Sequence, residues 1–93
     1  MTSYKLQFTK NSKRDWDKLD YTIKLQFQKK LKKRLENPKV AADKLSGYET
    51  VYKIKLRNSG FRLAYEVQDN IVVILVLKIG KRDKFYENLQ KYI

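Results

Sequence analysis

The chain reads as a small α+β domain, a mostly antiparallel sheet with helices packed on one face. Three observations predict this. Apolar and charged residues alternate over 51–57 and 61–67, the period of two expected of half-buried strands. Apolar residues recur every fourth position over 23–35, the spacing of an amphipathic helix. The 93 residues, 42% hydrophobic and 13% aromatic, suit one domain over 1–93 and are too apolar for a disordered chain.

The predicted order is β-α-α-β-β-β-α. Within 1–8, Tyr4, Leu6 and Phe8 alternate with Lys5, Gln7 and Thr9, as in a strand. Asn11 or Ser12 then caps a short helix, with Asp15 in the place of a capping-box carboxylate and Trp16 and Leu19 on the inner side. Asp20 caps a longer helix with the stripe Ile23, Phe27, Leu31 and Leu35. Lys24, Lys29, Lys30, Lys32, Lys33 and Arg34 fill the rest of its circumference. Asn37-Pro38 ends it, because proline disfavours helical geometry in the preceding residue.

A connection over 39–50 turns at Gly47. Two alternating strands follow, then the turn signal Gln68-Asp69-Asn70. The continuously apolar run 71–77 reads as a central strand covered on both faces, broken by Gly80. Short loops make the last three strands a meander. Residues 85–92 read as a short terminal helix with Phe85, Leu89 and Tyr92 (or Ile93) on one side.

Charge and composition limit the chemistry. Twenty-two Lys and Arg against 10 Asp and Glu give a net charge of +12, which points to a polyanionic partner, nucleic acid first and an acidic protein second. The chain has no Cys and no His, which excludes thiol nucleophiles, Ser–His pairs, disulfides and zinc fingers. No metal and no other cofactor is expected. The first residues lack the apolar stretch of a signal peptide, and 71–77 is far short of the ~20 residues of a membrane helix. A cytoplasmic protein without membrane association is expected.

The most informative stretch is 52–62. Tyr52, Ile54 and Leu56 enter the core, so Lys53, Lys55 and Arg57 share the opposite face. If Leu56 and Phe61 are opposed core residues, Lys55 stands opposite Arg62, and the loop holds an even number of residues, Asn58-Ser59 alone or all of 57–60. Lys53, Lys55 and Arg62 then form one patch. Like charges opposed on a sheet cost a few tenths to about 1 kcal/mol, a cost an anion among them would offset. Lys81 or Arg82 joins the rim from the end of the central strand, and Tyr86 brings a phenol near.

This set suits RNA cleavage. RNA carries its own nucleophile, the 2′-hydroxyl, so an RNase needs a base, an acid and a group that stabilises a pentavalent phosphorane. Arginine binds that dianion in a bidentate manner. A lysine crowded by cations is pushed toward its neutral form and can act as a base. Tyrosine can stack on a base. Without histidine, such a nuclease depends on something else to position the RNA.

The runs Lys44-Leu45-Ser46-Gly47, Tyr52-Lys53-Ile54-Lys55-Leu56-Arg57-Asn58-Ser59-Gly60-Phe61-Arg62-Leu63-Ala64-Tyr65-Glu66-Val67 and Ile79-Gly80-Lys81-Arg82 closely resemble the RelE family of bacterial type II toxins. The resemblance extends to Trp16-Asp17-Lys18-Leu19, the lysine-rich helix and Asn37-Pro38. It implies a compact RelE-like fold and a ribosome-dependent mRNA endonuclease that cuts the A-site codon through the 2′-hydroxyl. Lys53 matches the lysine that activates the 2′-hydroxyl, Lys55 and Arg62 match phosphate-binding residues, and Arg82 matches the acid or leaving-group stabiliser. Tyr86 matches the stacking tyrosine, although the family spaces it farther from the arginine, so that Phe85 is a second candidate there. Ser46 departs from a position that is commonly basic.

Lys29, Lys30, Lys33, Arg57 and Lys81 are the further cations expected to grip RNA. The implied partners are mRNA, the ribosomal A site with its 16S rRNA, and a RelB-like antitoxin through which the toxin–antitoxin complex binds operator DNA. Two alternatives stand beside this: a ParE-like gyrase poison, which typically lacks the complete Lys/Arg/Tyr set, and a basic RNA-binding domain without chemistry. Against the last, no pair of outward aromatics stands at RRM spacing, since Tyr52 and Tyr65 face the core.

Overall fold

A computed structural model describes residues 3–87 and 89–92, so the expectation for Ile93 lies outside the described residues. The N-terminal alternation forms β1 (Lys5–Phe8), and α1 (Lys10–Lys18) follows with almost no linker. Its cap is Thr9, not Asn11 or Ser12: the Thr9 Oγ1 accepts from the Ser12 N–H at 3.1 Å. Ser12 itself is buried and donates from Oγ to the Val76 carbonyl at 2.7 Å, so it fastens the helix to the sheet. The cap moves forward because the strand ends at Phe8 and Thr9 already carries the oxygen a cap needs.

Helix α2 (Tyr21–Glu36) begins where expected, with Asp20 Oδ1 accepting from the Ile23 N–H at 3.0 Å, and it stops at Asn37 before Pro38. Ile23, Phe27 and Leu31 are buried along its inner stripe. A short 3-10 turn, Ala41–Asp43, interrupts the following connection, and Gly47 turns there with φ +88°.

The sheet has the order β1-β4-β3-β2. Strands β2 (Val51–Leu56), β3 (Phe61–Gln68) and β4 (Val73–Lys81) form the expected antiparallel meander, and β1 joins β4 in parallel. Leu56 faces Phe61 and Lys55 faces Arg62. The hairpin loop is the four-residue alternative, closed by the Gly60 N–H donating to the Leu56 carbonyl at 2.9 Å with Gly60 at φ +78°, a left-handed backbone that glycine adopts without strain.

Strand β4 corrects two expectations. It starts at Val73, leaving Ile71 exposed in the preceding turn, where Val72 holds a strained φ of +56°. It also runs through Gly80, which pairs with Arg62, because a ladder of backbone bonds does not require a side chain. A bulge falls where Ala64 pairs with Lys78 but Tyr65 pairs with Val76.

Both sheet faces are covered. Helices α1 and α2 pack on Tyr52, Ile54, Leu56, Leu63, Tyr65, Val67, Ile74, Val76 and Ile79. The opposite face carries a smaller cluster of Leu45, Val51, Ala64, Leu77, Phe85 and Leu89. The terminal helix therefore differs from expectation: α3 is one turn, Arg82–Phe85, directly after β4, followed by a 3-10 turn at Leu89–Tyr92. Because β4 ends at Lys81, the chain turns at once; Phe85 closes that turn in the core and Leu89 joins the same cluster from the second turn.

Candidate active site

Strand alternation and register decide which cations meet. Lys53 and Lys55 project from β2 on the face opposite α1 and α2, and Arg62 projects from β3 directly across from Lys55. All three are half-buried. Lys53 faces Ala64, whose other neighbour is Lys78 on β4, so two lysines flank a methyl group across three strands.

The C-terminal segment closes over this face. Phe85 is fully buried and anchors it, and the Phe85 and Tyr86 rings meet edge-on at 4.9 Å. Tyr86 remains 47% exposed, and the Lys53 Nζ lies 5.9 Å from the centre of its ring. Lys53 and Tyr86 line an open hollow of 360 Å³ with Leu45, Ser46, Tyr48 and Leu89. Arg82 is exposed at the start of α3, and its backbone N–H donates to the Gly60 carbonyl at 2.8 Å, which fixes it beside the 57–60 loop. The Phe85 ring belongs to the core, whereas Tyr86 faces the solvent.

A second group of cations lies at the outer edge of β2. Lys29, Lys30 and Arg57 line one hollow with Gln26, Leu56 and Asn58. The Lys30 Nζ donates to the Lys55 carbonyl at 3.3 Å, and Arg34 Nη1 donates to the Lys53 carbonyl at 3.2 Å. With the Leu45 N–H donating to the Val51 carbonyl at 2.9 Å, the carbonyls of Val51, Lys53 and Lys55 along this edge strand are satisfied, which blunts an otherwise open edge. Lys33 is exposed on α2 and does not line that hollow. Lys81 stands apart from the Lys53 patch: paired with Phe61, it places its Nζ 5.7 Å from the Phe61 ring, on the side covered by the long helices.

Two groups escaped the sequence reading. Arg34 is one of six cations on a lysine-rich helix, yet its guanidinium is 14% exposed and pairs with Asp43 at 2.5 Å. It also donates to the Tyr65 hydroxyl at 2.8 Å, which in turn donates to the Pro38 carbonyl at 2.7 Å. Burial pushes the Tyr65 phenol above its ordinary pKa against the opposing pull of Arg34. The signal was available: Arg34 sits beside the Leu31–Leu35 stripe, where a charge needs partners. Lys78 was hidden by ending the strand too early. Its amine donates to the Glu87 carbonyl at 2.6 Å and the Lys84 carbonyl at 3.3 Å, and partial burial lowers its pKa against the opposing charges of Asp15 and Glu87.

Among the described residues no cluster of acidic side chains could hold a metal ion, and no helix is long and apolar enough to cross a membrane.

A small sheet bearing a lysine–arginine face beneath a tyrosine belongs to a recognisable class. Residues 6–86 match the family model described as "ParE toxin of type II toxin-antitoxin system, parDE", which makes the chain a toxin of that class. It is 45% identical over 82 residues to the mRNA interferase toxin RelE of Escherichia coli K12, covering 88% of this chain and 86% of that protein. The isolated E. coli RelE crystal structure superposes with a TM-score of 0.84 at 39% identity, covering 98% of this chain and 100% of the other. The toxin in the intact E. coli RelBE toxin–antitoxin complex gives 0.83 at 46% identity, covering 85% and 96%. The chain belongs to the RelE family.

Proposed function

We propose that this endoribonuclease toxin cuts mRNA in the ribosomal A site through attack of the 2′-hydroxyl on the adjacent phosphate. In this reading Lys53 takes the 2′-hydroxyl proton, and the freed oxygen bonds to phosphorus. The bond from phosphorus to the 5′-oxygen then breaks, leaving a cyclic phosphate. Lys55 and Arg62 hold the phosphorane oxygens, and Arg82 serves as acid or stabiliser for the departing 5′-oxygen, which takes up a proton and leaves as a hydroxyl. Tyr86 stacks on a base of the codon and orients the 2′-hydroxyl.

One observation carries the reading: the register that sets Lys55 against Arg62 on the same face as Lys53, whose amine is 5.9 Å from the Tyr86 ring. This supports a base, an anion clamp and a stacking surface within one site. Lys29, Lys30 and Arg57 form a separate cationic edge suited to rRNA phosphates. Because the site has no histidine, orientation by the ribosome carries much of the rate.

The names of the relatives extend the reading to partners. E. coli RelE forms the RelBE complex with its antitoxin, and a RelB-like antitoxin neutralises this chain in the same way. The net charge of +12 suits both an acidic antitoxin and RNA. Operator binding by the pair through the antitoxin and residence in the cytoplasm complete the proposal.

The test compares naked mRNA, empty ribosomes with mRNA, and programmed ribosomes with a vacant A site. Cuts confined to the last, at the A-site codon, are the expected result. Folded protein that cuts in none of them overturns the nuclease reading and directs the next assay to gyrase.

A further inference from the structure

Tyr86 follows Arg82 by four positions, so a single turn of helix has to deliver both groups to the site. Phe85 anchors that turn: it is fully buried against the sheet, close to Gly80, where an added Cβ would stand 4.0 Å from the Phe85 Cα. Leu89, buried in the same cluster, and the Arg82 N–H bonded to the Gly60 carbonyl hold the segment at its two ends, while Tyr86 between them is 47% exposed.

Between those ends Lys78 adds a further tie. Its ammonium donates to the carbonyls of Lys84 and Glu87, one on each side of the Phe85-Tyr86 pair. The charge on the amine strengthens both bonds. The amine reaches them because Lys78, Ala64 and Lys53 lie in one row across β4, β3 and β2, and the small Ala64 side chain lets the returning segment settle between the two lysines. The row thus links the clamp and the Lys53 amine through one rigid sheet.

We propose that Lys78 is a positioning residue that, by holding the carbonyls of Lys84 and Glu87, sets the Tyr86 ring beside the Lys53 amine. It touches neither the scissile phosphate nor the nucleophile. The inference rests on the reading of Lys53 and Tyr86 as members of the site given above.

The test is a double-mutant cycle on the full chain, read as single-turnover cleavage of mRNA on programmed ribosomes, with ribosome affinity and thermal melting measured beside it. Lys78→Met is expected to slow cleavage about tenfold, the scale of one lost base–aromatic stack, and to leave ribosome affinity within about twofold. Lys78→Arg, which keeps a cationic donor, is expected to recover most of the rate. Adding Lys78→Met to Tyr86→Ala is expected to change nothing further, because the group it positions is gone.

Equal losses from Lys78→Met in the wild-type and Tyr86→Ala backgrounds would overturn the inference, since Lys78 would then act independently of Tyr86. So would an unchanged Lys78→Met rate beside an impaired Tyr86→Ala. A Lys78→Met chain without a cooperative melt would assign Lys78 to stability and overturn it as well. If Tyr86→Ala itself cleaves normally, the assignment of Tyr86 to the site fails, which is a separate result from the failure of the clamp.

Discussion

Lys55 and Arg62 stand directly opposite each other on β2 and β3, two like charges side by side near the hairpin end of the sheet. Such a pair costs stability, by a few tenths to about 1 kcal/mol. Lys53 lies on the same face two residues along β2, with its amine 5.9 Å from the centre of the Tyr86 ring, and the C-terminal turn covers part of that face. An anion held there, as the proposed function requires, would offset that cost.

Cleavage and stability separate at this site. Lys53→Ala and Arg82→Ala are each expected to slow cleavage by at least about a hundredfold, the lower end of what a proton-transfer group contributes. Both side chains reach solvent, so unfolding free energy is expected to change by less than about 1 kcal/mol. Single-turnover cleavage and urea unfolding on the same preparations check this. A large fall in unfolding midpoint would contradict the placement of these side chains.

The edge cations are expected to act through phosphates. Ribosome binding is expected to weaken steeply with added salt, and Lys29→Ala and Arg57→Ala are each expected to lower the slope of log affinity against log salt by about 1. Titrations from low to physiological salt measure the slope. A salt-independent affinity would remove the hollow between α2 and the hairpin from the interface.

Arg34 is structural. Arg34→Ala leaves the Asp43 carboxylate, the Tyr65 hydroxyl and the Lys53 carbonyl without their shared donor, and is expected to cost about 3 kcal/mol. Tyr65→Phe removes the hydrogen bond to the Pro38 carbonyl and is expected to cost about 1–2 kcal/mol. Denaturant midpoints measure both. Losses within the error of the wild type would mean that the network does not join α2 to the 39–43 connection.

Acid weakens one tether. Asp69 accepts from Lys39 and from the Tyr4 hydroxyl, and these bonds hold its carboxyl below the ordinary value of 3.8. A depressed carboxyl contributes stability that is fully present above 3.8 and is lost as pH falls through the lower folded value. Asp69→Asn is therefore expected to reduce stability at neutral pH, with the gap from wild type closing in acid. Unfolding midpoints at pH 6 and in increasingly acidic buffers test the sign, and a gap that widens in acid would refute it.

The sequence determined the elements whose cause is local. Asp20 and Asn37-Pro38 bound α2 because caps and proline act on the neighbouring backbone. Strand period set Lys53, Lys55 and Arg62 on one face, and pairing Leu56 with Phe61 as core residues fixed their register. Where the cause was distant, the sequence alone was not enough. Strand β4 passes Gly80 because β3 pairs with it, and that extension brought Lys78 into the row with Lys53. Arg34 looked like any other cation of its helix until β2, Asp43 and Tyr65 came against it. Lys81 resembled a rim cation, but its strand position turns it toward Phe61. Period and capping depend on residues a few positions apart, whereas partners across a sheet exist only after the chain has folded back on itself.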